Sequence, residues 1–326
     1  MKHLHQSFYP NDVWQLFYQN PPQSTPIKGK NIAAKTSQGE CFLYESVFIK
    51  TTFNSAITFT VNNCKFLISD CSFTECSSSN SFGGAIQFVC DSSIVQYRTC
   101  AYKSQTTSDR GHHSYIDLLY TTNNINYVYE SSFYECGNIE KDDVNYMHCG
   151  IIDIKSINTS FCKSQYGAGI VLFLAKSIKS VAFSSFCNIT ATYSIIYSDR
   201  CKYNFTHCNV LSNHRNIPSH GTYFAPDSII IIENCSFLDN SGSVIEFFQS
   251  GSGSIIVINS FCDKQVGAGN VVFTNVQNSY SVHNLPLFSS YTCEAKNPIM
   301  YRKVLLNTIH ILKLFKSTSK RKKWIF

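Results

Sequence analysis

Residues 160–173 read SFCKSQYGAGIVLF and residues 260–273 read SFCDKQVGAGNVVF, so nine of fourteen positions repeat without a gap, 100 residues apart. A chain that reuses a phrase this way is ordinarily a stack of copies of one supersecondary unit, none of which can bury its apolar face alone. Weaker copies combine a small polar residue, an aromatic and a nearby Cys. They centre on Phe48, Phe73, Tyr97, Phe133, Phe161, Phe186, Phe205, Phe237, Phe261 and Phe288, with spacings between 19 and 36 residues. That scatter excludes helical repeats of fixed length and suits a solenoid whose corners accept insertions.

The apolar runs between the copies are short and β-branched: Ala85–Phe88, Ile151–Ile154, Ile170–Phe173, Ile229–Ile232, Val244–Phe248, Ile255–Ile258 and Val271–Phe273. None sustains a helical period, and turn residues bound each one, so they read as strands. With 44% hydrophobic and 15% charged residues the chain can bury a large core. Two or three strands per copy are too many for a leucine-rich repeat, and a βαβ unit lacks its helix. The fold class predicted is all-β, a right-handed parallel β-helix solenoid of about 9–10 coils. Equivalent residues then stack about 4.8 Å apart. Phe73, Phe133, Phe161, Phe186, Phe237 and Phe261 are expected to point inward and fill the tube, with Cys162, Cys187 and Cys262 buried in its corners as small apolar side chains. Gly83-Gly84, Gly167/Gly169 and Gly267/Gly269 are expected to supply the tight corners.

Three segments follow from this reading: 1–30 as an N-terminal cap or a disordered leader, 31–293 as the solenoid, and 294–326 as a basic tail. A short helix is expected at Asp12–Tyr18, and the opening has no continuous apolar stretch of the secretory kind. The tail carries nine Lys/Arg and one Glu, a net of +8 out of the chain's +6, which leaves residues 1–293 at −2. Leu305, Leu306, Ile309, Leu312 and Phe315 recur at helical spacing, so residues 300–316 are expected to form a helix. Three uses compete for it and for Lys320, Arg321, Lys322 and Lys323: a C-terminal cap with a solvated basic end, an interfacial membrane contact, or targeting and nucleic-acid binding.

The fifteen Cys cannot all pair within the chain, and no CxxC is present. Buried structural thiols lead, with disulfides between coils and metal ligation as alternatives; neither a cofactor nor a metal is expected. Asn158, Asn188, Asn204 and Asn234 head glycosylation sequons, which favour an extracellular or cell-surface setting, whereas unpaired thiols and the missing signal favour the cytoplasm.

The GGAI at Gly83–Ile86, its GAG variants at Gly167 and Gly267, and the FxxN at Phe237–Asn240 resemble the passengers of polymorphic outer-membrane proteins and, more broadly, the β-helix repeat proteins of microbial surfaces. The resemblance covers residues 40–293 and implies adhesion or surface display, with glycan or protein partners and no catalytic residues to carry over. The alternative is a polysaccharide lyase or glycoside hydrolase acting on acidic glycans, which needs clustered carboxylates in a groove. Asp142-Asp143 and Ser219-His220-Gly221 suggest such motifs, but three coils, roughly 14 Å, separate them. Both are expected in loops, Asp142-Asp143 in a solvated one, and the cluster of His112-His113 with Asp109 and Arg110 reads as an inert loop insertion. Nucleic acid is not an expected partner, because the solenoid itself is slightly acidic.

Overall fold

The computed structural model describes residues 10–20, 22, 27 and 39–283, apart from 53, 109, 120–122, 142 and 219. Strands dominate, and every adjacent pair is parallel. They form three long stacks, sheet A of ten strands and sheets B and C of nine each, with two small corner sheets between B and C. One turn runs Ile125–Tyr129 in sheet A, Ser132–Tyr134 in B and Asn145–His148 in C, before Ile151–Lys155 opens the next turn on A. The molecule is a parallel β-solenoid, as the repeat predicts. The expected helix over 300–316 and the basic cluster at 320–323 lie outside the described residues.

The inward column of sheet B runs Phe48, Phe73, Ala101, Phe133, Thr159, Phe186, Val210, Phe237 and Cys262, one residue per rung. Phe48 and Phe73 stack face to face, centroids 5.0 Å apart and planes 4° from parallel. Phe73, Phe133, Phe186 and Phe237 are buried as predicted. Phe161 and Phe261 are not in this column. Phe161 follows its sheet B strand, stands 38% exposed and takes a left-handed φ of 57°. Phe261 lies within its strand, one residue before the inward Cys262, and so faces outward. Phe205 belongs to sheet A, where it points inward, and Tyr97 to sheet A's outer side.

Glycine makes fewer corners than expected. Twenty-four described non-glycine residues have positive φ, among them Glu45, Asp70, Arg98, Glu130, Ser156, Phe183, His207 and Asn234, all between sheets A and B. Each costs roughly 1 kcal/mol or more in isolation. The stack supplies the compensation, since each corner N–H finds a carbonyl on the next turn, as Asp70 does at Tyr97 (3.0 Å) and Glu130 at Lys155 (3.0 Å). Gly83 is a corner where glycine is required: at φ +75° a Cβ would meet the Ile86 carbonyl oxygen at 2.0 Å.

The residue after each of these corners explains many of the cysteines. Cys71, Ser131, Ser184, Cys208, Cys235 and Ser260 share one position, immediately before the sheet B strand. Each donates back to the carbonyl two residues earlier, the hydroxyls of Ser131, Ser184 and Ser260 at 2.8 Å and the thiols of Cys71, Cys208 and Cys235 at 3.2, 3.2 and 3.3 Å. The same oxygen or sulfur accepts an N–H from the preceding turn, as Ser131 does from Thr99 (3.1 Å) and Cys235 from Cys208 (3.4 Å). A thiol therefore substitutes for a hydroxyl in a repeated corner bracket. Thirteen described cysteines carry free thiols, Cys162 and Cys262 are fully buried, and Cys187 is only partly so.

Residues 10–20 lie along the side of the solenoid. Helix Pro10–Gln15 and the turn after it place Val13, Trp14 and Tyr18 on the outer face of sheet A against Phe42, Leu67, Val95, Tyr97 and Tyr127. Tyr18 donates its hydroxyl to the Phe66 carbonyl at 2.9 Å. Ile27 then pairs with Leu43, so the raw edge of the first sheet A strand is also covered.

Candidate functional site

The helix covers only the first four rungs of sheet A. Farther along the same face, at the sixth to eighth rungs, lies an open groove of about 620 Å³. It is lined by Lys176, Lys179, Arg200 and Lys202, by Asn204 and the single carboxylate Asp227, and by Ile229 and Ile231. The strands Ser177–Ala182, Lys202–Thr206 and Ile229–Glu233 carry Lys179, Lys202, Asn204, Ile229 and Ile231, and the corners just before them carry Lys176, Arg200 and Asp227. Period-2 alternation turns Lys202 and Asn204 outward while Tyr203 and Phe205 enter the core. A register irregularity between Ile152 and Ile154, where sheet A meets the Ser177–Ala182 strand, shifts that strand's outward set. It leaves Lys179 exposed at the groove.

The cations are held in place. Lys179 sits 4.9 Å above the Tyr127 ring, and the Tyr127 hydroxyl beside it raises the ammonium's pKa. Lys176 donates to Asn123 Oδ1 at 3.2 Å. Arg200 makes a two-point contact with Asp199, both bonds 3.2 Å, and lies 5.0 Å over the Phe173 ring. Asp227 accepts the Ser252 N–H at 2.8 Å and its hydroxyl at 3.0 Å, which hold the carboxyl below its ordinary pKa and keep it charged. Three lysines and Arg200, itself paired with Asp199, thus line the groove with one carboxylate, Asp227, which is already engaged by Ser252. The groove therefore carries a net positive charge. It offers no second carboxylate to serve as the partner acid or base that glycosidic hydrolysis requires.

Elsewhere the described carboxylates are spread along the corners, many beside a cation. Arg98 bridges Glu130 (2.9 Å) and Asp70 (4.0 Å), Lys50 reaches Glu75 (3.5 Å), Lys103 reaches Glu135 (3.7 Å) and His148 reaches Asp117 (2.8 Å). Among the described residues, no group of three or more His, Cys, Asp or Glu side chains could hold a metal ion.

The sequence candidates separate. Tyr146, Val171, Tyr197 and Phe224 occupy successive rungs of sheet C, so Asp143 and Gly221, each three residues earlier, are three turns apart. Asp142 and Ser219 lie outside the described residues. Asp143 is buried rather than solvated. His220 is half-buried, its ring against Tyr193, Phe224 and Phe248 and its carbonyl accepting from Arg215.

His112 and His113, read from the sequence as a loop insertion, are both fully buried. His113 fills the space that Ala101 leaves in the sheet B column, 5.4 Å from Phe73 and 5.0 Å from Phe133. Burial lowers its pKa to about 3 and that of His112 to about 4, so both rings are neutral.

Of the sequons, Asn204 is exposed in the groove and Asn158 is on the outer row of sheet B. Asn188 and Asn234 occupy left-handed corners with φ of 54° and 52°. No described helix is long and apolar enough to cross a membrane.

Comparison with protein families, curated proteins and solved structures returns no match for this chain.

Proposed function

We propose that this solenoid is a non-enzymatic binding scaffold whose sheet A groove takes an extended acidic polysaccharide. The observation that carries the reading is the convergence of Lys176, Lys179, Arg200 and Lys202 from neighbouring turns on one groove beside Asn204, Ile229 and Ile231. Carboxylated sugars need cations at intervals, an amide for their hydroxyls and apolar surface for their C–H faces, and all three are side by side. A surface or adhesion setting follows from the likeness of the Gly83–Ile86 and Phe237–Asn240 motifs to microbial surface repeats.

Calorimetric titration with oligogalacturonate and with a neutral oligosaccharide of equal length tests this. Salt-sensitive binding of the acidic oligomer alone is expected. Equal binding of the neutral one would remove the electrostatic basis. Single-stranded nucleic acid binding as tightly would make the groove a general polyanion site. Appearance of an unsaturated uronate during the titration would move the protein to the lyases, the rival reading for the same substrate.

A further inference from the structure

A modification motif lies inside the groove. Asn204-Phe205-Thr206 is an acceptor sequence for an N-linked glycan, and it falls within the strand Lys202–Thr206 on the seventh rung of sheet A. Period-2 alternation sends Tyr203 and Phe205 inward, 4% and 0% exposed, and brings Asn204 out between Lys202 and Thr206. No described residue engages its amide. On the next rung Asn204 pairs with Ile231, which also lines the groove. On the rung before, Val181 pairs with Phe205, two residues after the exposed Lys179.

The other three acceptors are placed less openly. Asn188 and Asn234 are half-buried corner residues whose N–H groups bond the Leu211 and Ile258 carbonyls. Ser236, the hydroxyl residue of the Asn234 motif, is fully buried and donates to the Ser281 carbonyl at 2.7 Å. Asn158 is half-buried as well, between Ser132 and Ser185 on the neighbouring rungs, each 8% exposed. Asn204 alone of the four is exposed, so a glycan attached there leaves the packing of its strand untouched. A stem of two sugars is about as long as two rungs, roughly 10 Å. Rooted on Asn204, it lies over Lys202 and reaches Lys179 on one side or Ile231 on the other.

We propose that Asn204 receives an N-linked glycan in a secretory compartment and that this glycan closes the sheet A groove to other ligands. That the groove takes a ligand rests on the function proposed above; the modification stands apart from it. In the transfer, Asn204 Nδ2 bonds to the anomeric carbon of an oligosaccharide carried on a lipid diphosphate. The bond from that carbon to the diphosphate oxygen breaks, the lipid diphosphate leaves with the electron pair, and the amide gives up one proton. The chain is still unfolded at that stage, so the later place of Asn204 in a strand is no bar. Folding then turns the glycan outward. Chains that miss the transfer keep an open basic groove, so occupancy at Asn204 sets the fraction of molecules able to bind.

The full-length chain secreted from a glycosylating host is compared with two unmodified forms. These are Thr206→Val from the same host, which keeps Asn204, and the wild-type chain made in a bacterial cytosol. Glycopeptide mapping reads Asn204. Amine acylation reads the groove at Lys179 and Lys202, against Lys50, a corner lysine of the first turn with a side chain 72% exposed. Occupancy at Asn204 is expected, with both groove lysines acylated several-fold more slowly than in either unmodified form and Lys50 unchanged. Oligogalacturonate should bind the two unmodified forms and not the glycosylated one. An empty Asn204, or a filled one whose groove lysines react at the unmodified rate, would overturn the proposal. Shielded lysines with no oligogalacturonate binding in any form would uphold the closure and refute instead the assignment of the groove to acidic polysaccharide.

Discussion

Arg215 and Glu246, 1% and 0% exposed, are buried together: the guanidinium donates to the carbonyl of Ile245, the residue before Glu246, at 2.8 Å. Asn240 donates to Glu246 Oε1 at 2.8 Å and, through the same amide group, to the Val210 carbonyl at 3.0 Å. Burial pushes the Glu246 carboxyl up to about 7 against the pull of Arg215. A raised carboxylate pKa means that the folded state holds a proton the unfolded state has lost. This group's contribution therefore favours folding at pH 4–5 and weakens as pH rises towards 7, by on the order of 3 kcal/mol. Denaturant titrations between pH 5 and 8 should show that slope, and Glu246→Gln should flatten it.

His113 carries the opposite sign. Its folded pKa of about 3 lies below that of the unfolded imidazole, so its neutral form supports folding above pH 6.5 and that support is lost as pH falls towards 3. Replacing it with Phe removes the titration and extends the Phe73–Phe133 column with a ring of similar shape. His113→Phe should lower the acid midpoint of unfolding by several tenths of a pH unit or more, read by far-ultraviolet circular dichroism. An unchanged midpoint would mean that the ring is not buried as described.

Phe133 and Phe161 should respond differently to truncation. Phe133→Ala empties an inward rung and is expected to cost roughly 3–5 kcal/mol. Phe161 is a half-exposed corner residue at positive φ, a conformation that Asn accepts more readily than Phe, so Phe161→Asn should be neutral or stabilising. Equilibrium unfolding in urea compares the two, and a large loss at Phe161 would restore it to the core.

Thiol labelling resolves the corners. Burial pushes the Cys71 and Cys201 thiols up to about 12 and raises those of Cys162 and Cys262 as well, so the reactive thiolate is scarce at all four. In native protein Cys187 should label before Cys162 and Cys262, monitored by mass spectrometry. Labelling at equal rates would contradict the corner packing.

The solenoid was legible because stacked turns repeat a chemistry, and the register was not, because the repeat conceals it. The phrases at 160–173 and 260–273 match in sequence but sit differently: Val171–Phe173 lie in sheet C and Val271–Phe273 in sheet A. The last turn is short, running from Cys262 in sheet B to Gly267 in sheet C, where the earlier one runs from Thr159 to Ile170. Alternating Ser, Phe, Cys and Val satisfies any half-buried strand, so nothing in the phrase itself marks its face. The basic groove escaped for a related reason. Lys176 and Lys179 meet Arg200 and Lys202 only once the turns are stacked, and a solenoid with a net charge of −2 gives no compositional sign of them.

The most direct test of the groove is charge reversal at two of its exposed lysines. Affinity for oligogalacturonate is measured in wild type and in the double variant Lys179→Glu/Lys202→Glu, with thermal unfolding confirming that both are folded. Two attractions become two repulsions, so binding should weaken roughly 30-fold or more at low salt, and the gap should narrow as salt is added. Equal affinity in the two proteins would place the ligand elsewhere and contradict the assignment of this groove.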